Sequence, residues 1–259
     1  MNGDYDRLEY ISCTADLTQR GFNMLDKVRI VLLNTTHPGN IGATARAMKN
    51  MGLKRLYLVA PRHFPNPEAE SRAANAADIL DTAIVCETLG DAIADCRLVL
   101  GTSARDRSIP HQVLSPKECS DLVKQESVDT EVAILFGEER TGLTNELIDQ
   151  CHYQVMIPTS NDYPSLNLSA AVQIISYELC IANQQNTTKN QSASSQSLAT
   201  AGEMEFFYHQ LEQVLIERQF INPDEPKRLM PKLRRFFNRA RPEQDEINIL
   251  CGMIRALSQ

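Results

Sequence analysis

Apolar residues in the first two thirds of the chain gather into short runs of strand length, at residues 28–33, 55–59, 83–86, 97–101, 132–136 and 153–157. Runs of four to six apolar residues, closed by glycine, proline or small polar residues, are the pattern of strands buried on both faces. Between them the pattern changes to helical spacing. Residues 40–51 read as a helix, with Asn40 as its N-cap and Gly52 as its stop. Thr88 caps a helix to about Asp95, and Ser115-Pro116 is a cap followed by proline at the first helical position. Thr144 opens a short helix, and residues 168–182 form a strongly apolar one. Alternating strands and helices predict an α/β fold, a parallel sheet with helices on both faces. Residues 183–200 are polar and low in complexity, a linker. Three helical segments follow, near 202–219, 224–239 and 242–257. The expected organisation is a tail (1–25), a sheet domain (26–183), a flexible linker (184–201) and a small all-helical domain (202–259) that needs a neighbour to pack on.

Composition narrows the classes. The chain has 259 residues, 42% of them apolar and 23% charged, enough for a full core. No apolar run approaches the roughly 18 residues of a membrane helix, and the acidic start does not read as a secretory signal. Seven scattered cysteines without a C-x-x-C pair suit reduced thiols in a cytoplasmic protein. The five histidines stand alone, so no metal site is expected. A net charge of −7 argues mildly against a nucleic-acid partner, although local charge sets the field near a cleft. That local charge exists: between Lys227 and Arg241, along the second of the three C-terminal helical segments, the chain carries seven cations and no acid. Leu229, Leu233, Phe236 and Phe237 recur there at helical spacing and are expected in the core.

Three tracts stand where buried strands should end: residues 36–46 (THPGNIGATAR), 136–143 (FGEERTGL) and 157–168 (IPTSNDYPSLNL). In an open α/β sheet that edge is where ligands bind. The first tract is not G-x-G-x-x-G, and no G-K-[ST] follows, which excludes the two common nucleotide loops. Asn40 lies where free backbone amides gather at a helix start, and Arg46 follows about one and a half turns later. Together they suit a phosphate, although a plain cap and a solvated arginine are the simpler roles. Gly137 would let a ligand approach the backbone. Ser165 and Asn167 are both small and polar at the mouth of an apolar helix, where one cap would suffice.

In order, spacing and content the three tracts, over about residues 26–182, resemble the SpoU branch of the SPOUT RNA methyltransferases. The run 232–242 (KLRRFFNRARP) looks like the C-terminal helical extension of a bacterial branch of that family acting on tRNA. The resemblance implies a deep trefoil knot at the C-terminal end of the sheet domain, with S-adenosyl-L-methionine held there by Thr102, Ser103, Ala104, Gly137, Ile157, Pro164, Ser165 and Leu166. It implies catalytic positions at Asn40, Arg46, Ser165 and Asn167. Arg46 would activate the ribose 2′-hydroxyl or, since a guanidinium is a poor base at neutral pH, grip the adjacent phosphate and stabilise a developing alkoxide. Glu139 would orient Arg46 or Arg140 through an ion pair. The implied reaction is methylation of the ribose 2′-oxygen of nucleotide 32, cytidine or uridine, in the tRNA anticodon loop. A homodimer would share the RNA site, Arg46 of one chain serving the other's cofactor. Arg46, Arg105, Lys232, Arg234, Arg235 and Arg239 would contact RNA, and Arg107 could also touch phosphate. A ribosomal RNA target and a non-catalytic RNA-binding protein with a decayed pocket are the competing readings.

Overall fold

A computed structural model describes residues 23–104, 112–126, 130–160, 162, 165–185, 197–222 and 228–257. Arg105, Arg107 and Pro164, expected at the RNA and cofactor sites, lie outside the described residues. Seven strands form one parallel sheet: β1 (Val28–Leu33), β2 (Arg55–Val59), β3 (Ile84–Cys86), β4 (Leu98–Thr102), β5 (Val113–Leu114), β6 (Val132–Phe136) and β7 (Tyr153–Val155). Their order is β3-β2-β1-β6-β4-β7-β5. Register is fixed through β6, where Val132 lies opposite both Val28 of β1 and Leu98 of β4. The sheet domain also carries α1 (Pro38–Asn50), α2 (Pro67–Ala73), α3 (Ala77–Asp81), α4 (Leu89–Ile93), α5 (Pro116–Glu126), α6 (Asn145–Ile148) and α7 (Leu168–Gln184).

The strands read as unbroken apolar runs because both faces are covered. Ile30, Leu32, Leu56, Leu58, Leu100 and Ile134 pack with α1, α2, α5 and α7. The alternate residues Val31, Leu33, Tyr57, Val99 and Leu135 pack with α4 and α6. This is the two-residue period of a pleated strand expressed on two buried surfaces. Arg29 is the exception inside β1. It is 2% exposed, and its guanidinium is held by both oxygens of Asp95 at 2.8 Å, by Glu131 at 3.0 Å and by the Ala92 carbonyl at 2.9 Å. A buried arginine is tolerated when it is paired on this scale.

Helix α1 begins earlier than expected, and this matters for the site. Pro38 occupies the first helical position and His37 is the cap, its Nδ1 accepting from the Gly39 amide at 3.1 Å. Asn40 therefore sits inside the first turn, not at the cap, and its side chain is available for other partners. Strand β7 ends at Val155 instead of Ile157, and α2 and α3 lie where the apolar pattern predicted no element.

The C-terminal helices are α8 (Ala201–Glu217), α9 (Leu229–Ala240) and α10 (Gln244–Leu257). Residues at the end of the expected linker belong to this unit: Leu198 bridges Glu243, and Thr200 and Glu203 form a reciprocal capping box on α8. The unit docks on the sheet domain at one edge. The Ala201 amide donates to the Cys96 carbonyl at 2.8 Å, Arg97 Nε to Leu198 at 2.8 Å, and Arg241 pairs with Glu126. Asn238 Nδ2 donates to the Asp149 carbonyl at 3.1 Å while its Oδ1 accepts from Tyr208 at 2.8 Å. Cys96, Glu126 and Asp149 all lie just before strands, so the docked edge is the N-terminal edge of the sheet. Of α9, only Asn238 is buried; Phe236 is 54% exposed, contrary to its expected place in the core. The helix packs along one narrow side, led by the edge-to-face contact of Phe237 on Phe207 at 4.9 Å.

Replacing Asn238 by leucine leaves the Tyr208 hydroxyl only its 3.3 Å bond to the Arg234 carbonyl and takes the side-chain donor from the Asp149 and Cys151 carbonyls. Unsatisfied buried groups of this kind cost about 1–3 kcal/mol. Urea unfolding should show that loss, and an unchanged midpoint would contradict the latch described for Asn238.

Candidate functional site

The segments that follow β1, β6, β4 and β7 converge at the C-terminal edge, opposite the helical unit. Neighbouring strand ends set their order along that edge. After β1 the chain turns sharply at Asn34, which has φ +52°, and it is bonded to the next strand's loop through Arg62 N to Thr35 O at 3.1 Å. After β6, residues 138–142 make a tight loop closed by Gly142 N to Glu138 O at 2.8 Å. A Cβ on Gly137 would stand 2.1 Å from the Gly142 carbonyl carbon, so only glycine fits there. Gly142 holds φ +67°, again a glycine conformation. After β4, Thr102 Oγ1 donates to the Leu135 carbonyl at 2.8 Å and the Ser103 amide to Val155 at 3.0 Å, which fixes that loop against both neighbours.

Together these segments enclose a cavity of about 260 Å³. Thr102, Ser103, Ala104, Gly137, Ile157, Ser165 and Leu166 all line it. These are the described residues among those expected to hold a cofactor. Phe136, Val155, Leu168 and Ala171 complete an apolar floor that sequence reasoning did not name. A traceable signal existed, since the first two end strands and the third begins a helix at the expected edge. Glu138, Arg140, Thr141 and Thr159 also line the cavity.

A carboxylate ties the first tract to the second. Glu139 accepts from the Thr36 amide at 3.1 Å, the Thr36 hydroxyl at 2.9 Å, the His37 amide at 3.1 Å and Asn40 Nδ2 at 3.0 Å. The expected ion pair from Glu139 to Arg46 or Arg140 is absent among the described residues. Its oxygens are taken by neutral donors of the first tract, and neither arginine makes a hydrogen bond or ion pair there. Partial burial pushes the Glu139 carboxyl up, but the Asn40 amide and the backbone N–H groups outweigh it and hold it below the ordinary glutamate range. Asn40 passes the link on to the third tract. Its Oδ1 accepts from Asn167 Nδ2 at 3.0 Å, while Asn167 Oδ1 caps α7 by accepting from Ser169 N at 2.9 Å. A carboxylate can only accept, so the chain of donors has one orientation.

Of the expected catalytic residues, Asn40 and Asn167 thus touch directly, and Ser165 lines the cavity beside them in sequence. Arg46 lies on α1, exposed and away from the cavity lining. The basic face of α9 is not brought to this edge within the chain. It belongs to the unit docked at the far edge, about 16 Å away by the rise of a five-residue strand. Arg234 is engaged there: both its terminal nitrogens hold Glu205, and it lies 4.5 Å over the Tyr208 ring. Lys232, Arg235 and Arg239 make no ion pair among the described residues. Among those residues no group of histidine, cysteine and carboxylate side chains could hold a metal ion, and no helix is long and apolar enough to cross a membrane.

A parallel sheet of this order, with a loop-built cavity at its C-terminal edge, is the architecture of the SpoU methylases. Residues 27–177 match the SpoU rRNA methylase family, and the chain belongs to it. Residues 202–259 match the C-terminal domain of the tRNA methyltransferase TrmJ. The chain is 49% identical over 237 residues to the tRNA (cytidine/uridine-2′-O-)-methyltransferase TrmJ of Sodalis glossinidius, covering 90% of this chain and 92% of that one. It is 47% identical to the tRNA (cytidine/uridine/adenosine-2′-O-)-methyltransferase TrmJ of Pseudomonas aeruginosa, covering 89% and 93%. The crystal structure of TrmJ from Zymomonas mobilis (Z. mobilis ZM4) superposes with a TM-score of 0.79 at 31% identity, covering 89% of this chain and 99% of that one.

If Glu139 is the tie, Glu139→Gln loses a charged acceptor and presents a donor to the Thr36 and His37 amides. Those two amides should then exchange with solvent at least about tenfold faster, in keeping with about 1.5–3 kcal/mol for hydrogen bonds to a charged group. Because the folded carboxyl is depressed, its contribution is present above the ordinary value near about 4.3 and is lost as pH falls through the folded value. The wild type should therefore approach the variant's exchange rates only in acid. Equal rates in both proteins at neutral pH would contradict the assignment.

Proposed function

We propose that this chain transfers a methyl group from S-adenosyl-L-methionine to the ribose 2′-oxygen of nucleotide 32, a cytidine or uridine, in the tRNA anticodon loop. The observation that carries this is the Glu139–Asn40–Asn167 chain, which joins the segments bearing the RNA-side residues to the rim of the cavity. The match of residues 202–259 to the TrmJ C-terminal domain and the TrmJ relatives over most of the chain support the tRNA target over a ribosomal one. Retention of Asn40, Arg46, Ser165 and Asn167 together favours an enzyme over a decayed binding protein.

The cavity suits the cofactor. Its apolar floor of Phe136, Val155, Ile157 and Leu166 fits an adenine ring, and the backbone at the side-chain-free Gly137 supplies close polar contact. When bound, the cofactor supplies an electrophilic methyl on a sulfonium. The chain's own residues then position the nucleophile. Asn40 keeps one amide hydrogen and one lone pair beyond its two bonds, enough to address a ribose hydroxyl. Arg46, without an ion pair or side-chain hydrogen bond among the described residues, grips the phosphate next to that ribose and stabilises the developing alkoxide, the proton leaving through phosphate or water. The far-edge position of α9 suits a homodimer, in which the basic helix of one copy meets tRNA seated at the other's pocket. The trefoil knot belongs to the same proposal.

A labelled methyl-transfer assay on tRNA transcripts, with the modified ribose mapped, tests the function. Product at nucleotide 32 is expected; no transfer to any tRNA would overturn the reading, and product elsewhere would overturn only the position. Arg46→Lys should lower kcat about 10²-fold or more, the scale of losing an oriented donor to a developing oxyanion. Near-wild-type turnover would remove any role that needs the bidentate fork.

A further inference from the structure

Most arginines of the sheet domain differ by edge. At the N-terminal edge, Arg29 and Arg55 converge with Lys27 on Glu131, and Lys54 meets Asp26. At the pocket edge and on the helices leaving it, Arg46, Arg62, Arg72 and Arg140 carry no ion pair or side-chain hydrogen bond among the described residues, and all four are exposed. Glu68, Glu70, Glu138 and Glu139 balance the formal charge of these segments, so what marks the four arginines is that their guanidinium groups stand exposed and unpaired among the described residues.

Arg140 belongs to the cavity and Arg46 to the proposed catalytic set, but Arg62 and Arg72 have no place in either. Their positions are defined. Arg62 lies in the loop after β2, and its amide is bonded to Thr35, one residue before the threonine that Glu139 holds. Arg72 lies on α2 against α1: its Cβ is 2.9 Å from where a Cβ on Gly42 would stand, and Arg46 is one turn further along that side of α1. Of the two acids on α2, Glu70 makes no ion pair among the described residues, and Glu68 faces His37 at 3.8 Å. Glu139 is likewise occupied by the first tract. Among the described residues no side chain pairs with these two guanidinium groups, and their shape suits phosphate oxygens.

We propose that Arg62 and Arg72, with Arg46, form a phosphate track for the RNA strand flanking the target ribose, on the α1–α2 side of the cavity and supplied by a single chain. The track rests on the methyltransferase reading above and adds to it where the strand runs. Phosphate contacts position the strand without reading its sequence, so they act on binding and not on the chemical step.

The test is the full chain carrying Arg62→Gln and Arg72→Gln, assayed for tRNA affinity and methyl transfer between about 50 and 200 mM salt. Each lost contact to a single strand flattens the slope of log affinity against log salt by about 0.7, so the pair should flatten it by about 1.4. KM for tRNA should rise about tenfold at the lower salt and less at the higher, with kcat at saturating tRNA, KM for S-adenosyl-L-methionine and thermal midpoint unchanged. Arg62→Lys with Arg72→Lys should retain most of the slope, and Lys54→Gln at the other edge should not move it. An unchanged slope and KM in the glutamine pair, alongside an active wild type, overturns the track and leaves the methyltransferase reading standing. A wild type that transfers no methyl to any tRNA overturns both.

Discussion

The Glu139 carboxylate holds the functional edge of this protein together. Four donors converge on it, all from residues 36–40, and one of them, Asn40, carries the link to Asn167 at the mouth of α7. Three loops that follow three separate strands are thereby fixed relative to one another by a single partly buried charge. Loops at a sheet edge are ordinarily the mobile part of an α/β fold. Here the neutral donors supply what burial removes from the carboxylate, and the three tracts are tied to one another at the rim of the cavity. Pre-organisation of this kind is what a reaction governed by positioning requires.

The same sheet assigns different work to its two edges. At the N-terminal edge, charge is consumed internally: Arg29 is buried among Asp95, Glu131 and the Tyr57 ring, and Arg241 and Asn238 fasten the helical unit. At the C-terminal edge and on the helices leaving it, Arg46, Arg62, Arg72 and Arg140 are unpaired among the described residues, and Arg140 lines a cavity with an apolar floor. The packing of His152 follows from the docked edge. Burial, with the charge of Arg241, pushes its imidazole down to about 3, so it stays neutral, and its Nδ1 accepts from the Val99 amide. Protonation on acidification opposes this arrangement, so the helical unit's attachment gains from pH above the ordinary histidine range.

Much of this was legible in the sequence, for physical reasons. Buried parallel strands have to be continuous apolar runs, so β1, β2 and β6 stood out at their correct bounds. Glycines at 137 and 142 marked a charged turn after a strand, and the family resemblance of the tracts, not the strand ends alone, named the residues that line the cavity. What escaped was what depends on contacts distant in sequence. Asn40 looked like a cap because capping is local, but His37 with Pro38 caps better and frees Asn40 for Glu139, 99 positions away. Glu139 was assigned an arginine because charge suggests charge; the backbone amides that satisfy it carry no sequence signature. Phe236 fitted a core stripe, but α9 lies against its neighbours by one side only. Nor does periodicity say at which edge of a sheet an appended unit docks.

The central claim is that Glu139, Asn40 and Asn167 act as one unit on the methylation of tRNA. A double-mutant cycle in kcat/KM measures this directly, using Glu139→Gln, Asn167→Ala and the pair. Residues acting through a shared partner are non-additive, with coupling of about 0.5–3 kcal/mol. The account predicts that the double variant is scarcely worse than the more damaged single variant. Losses that simply multiply would contradict it.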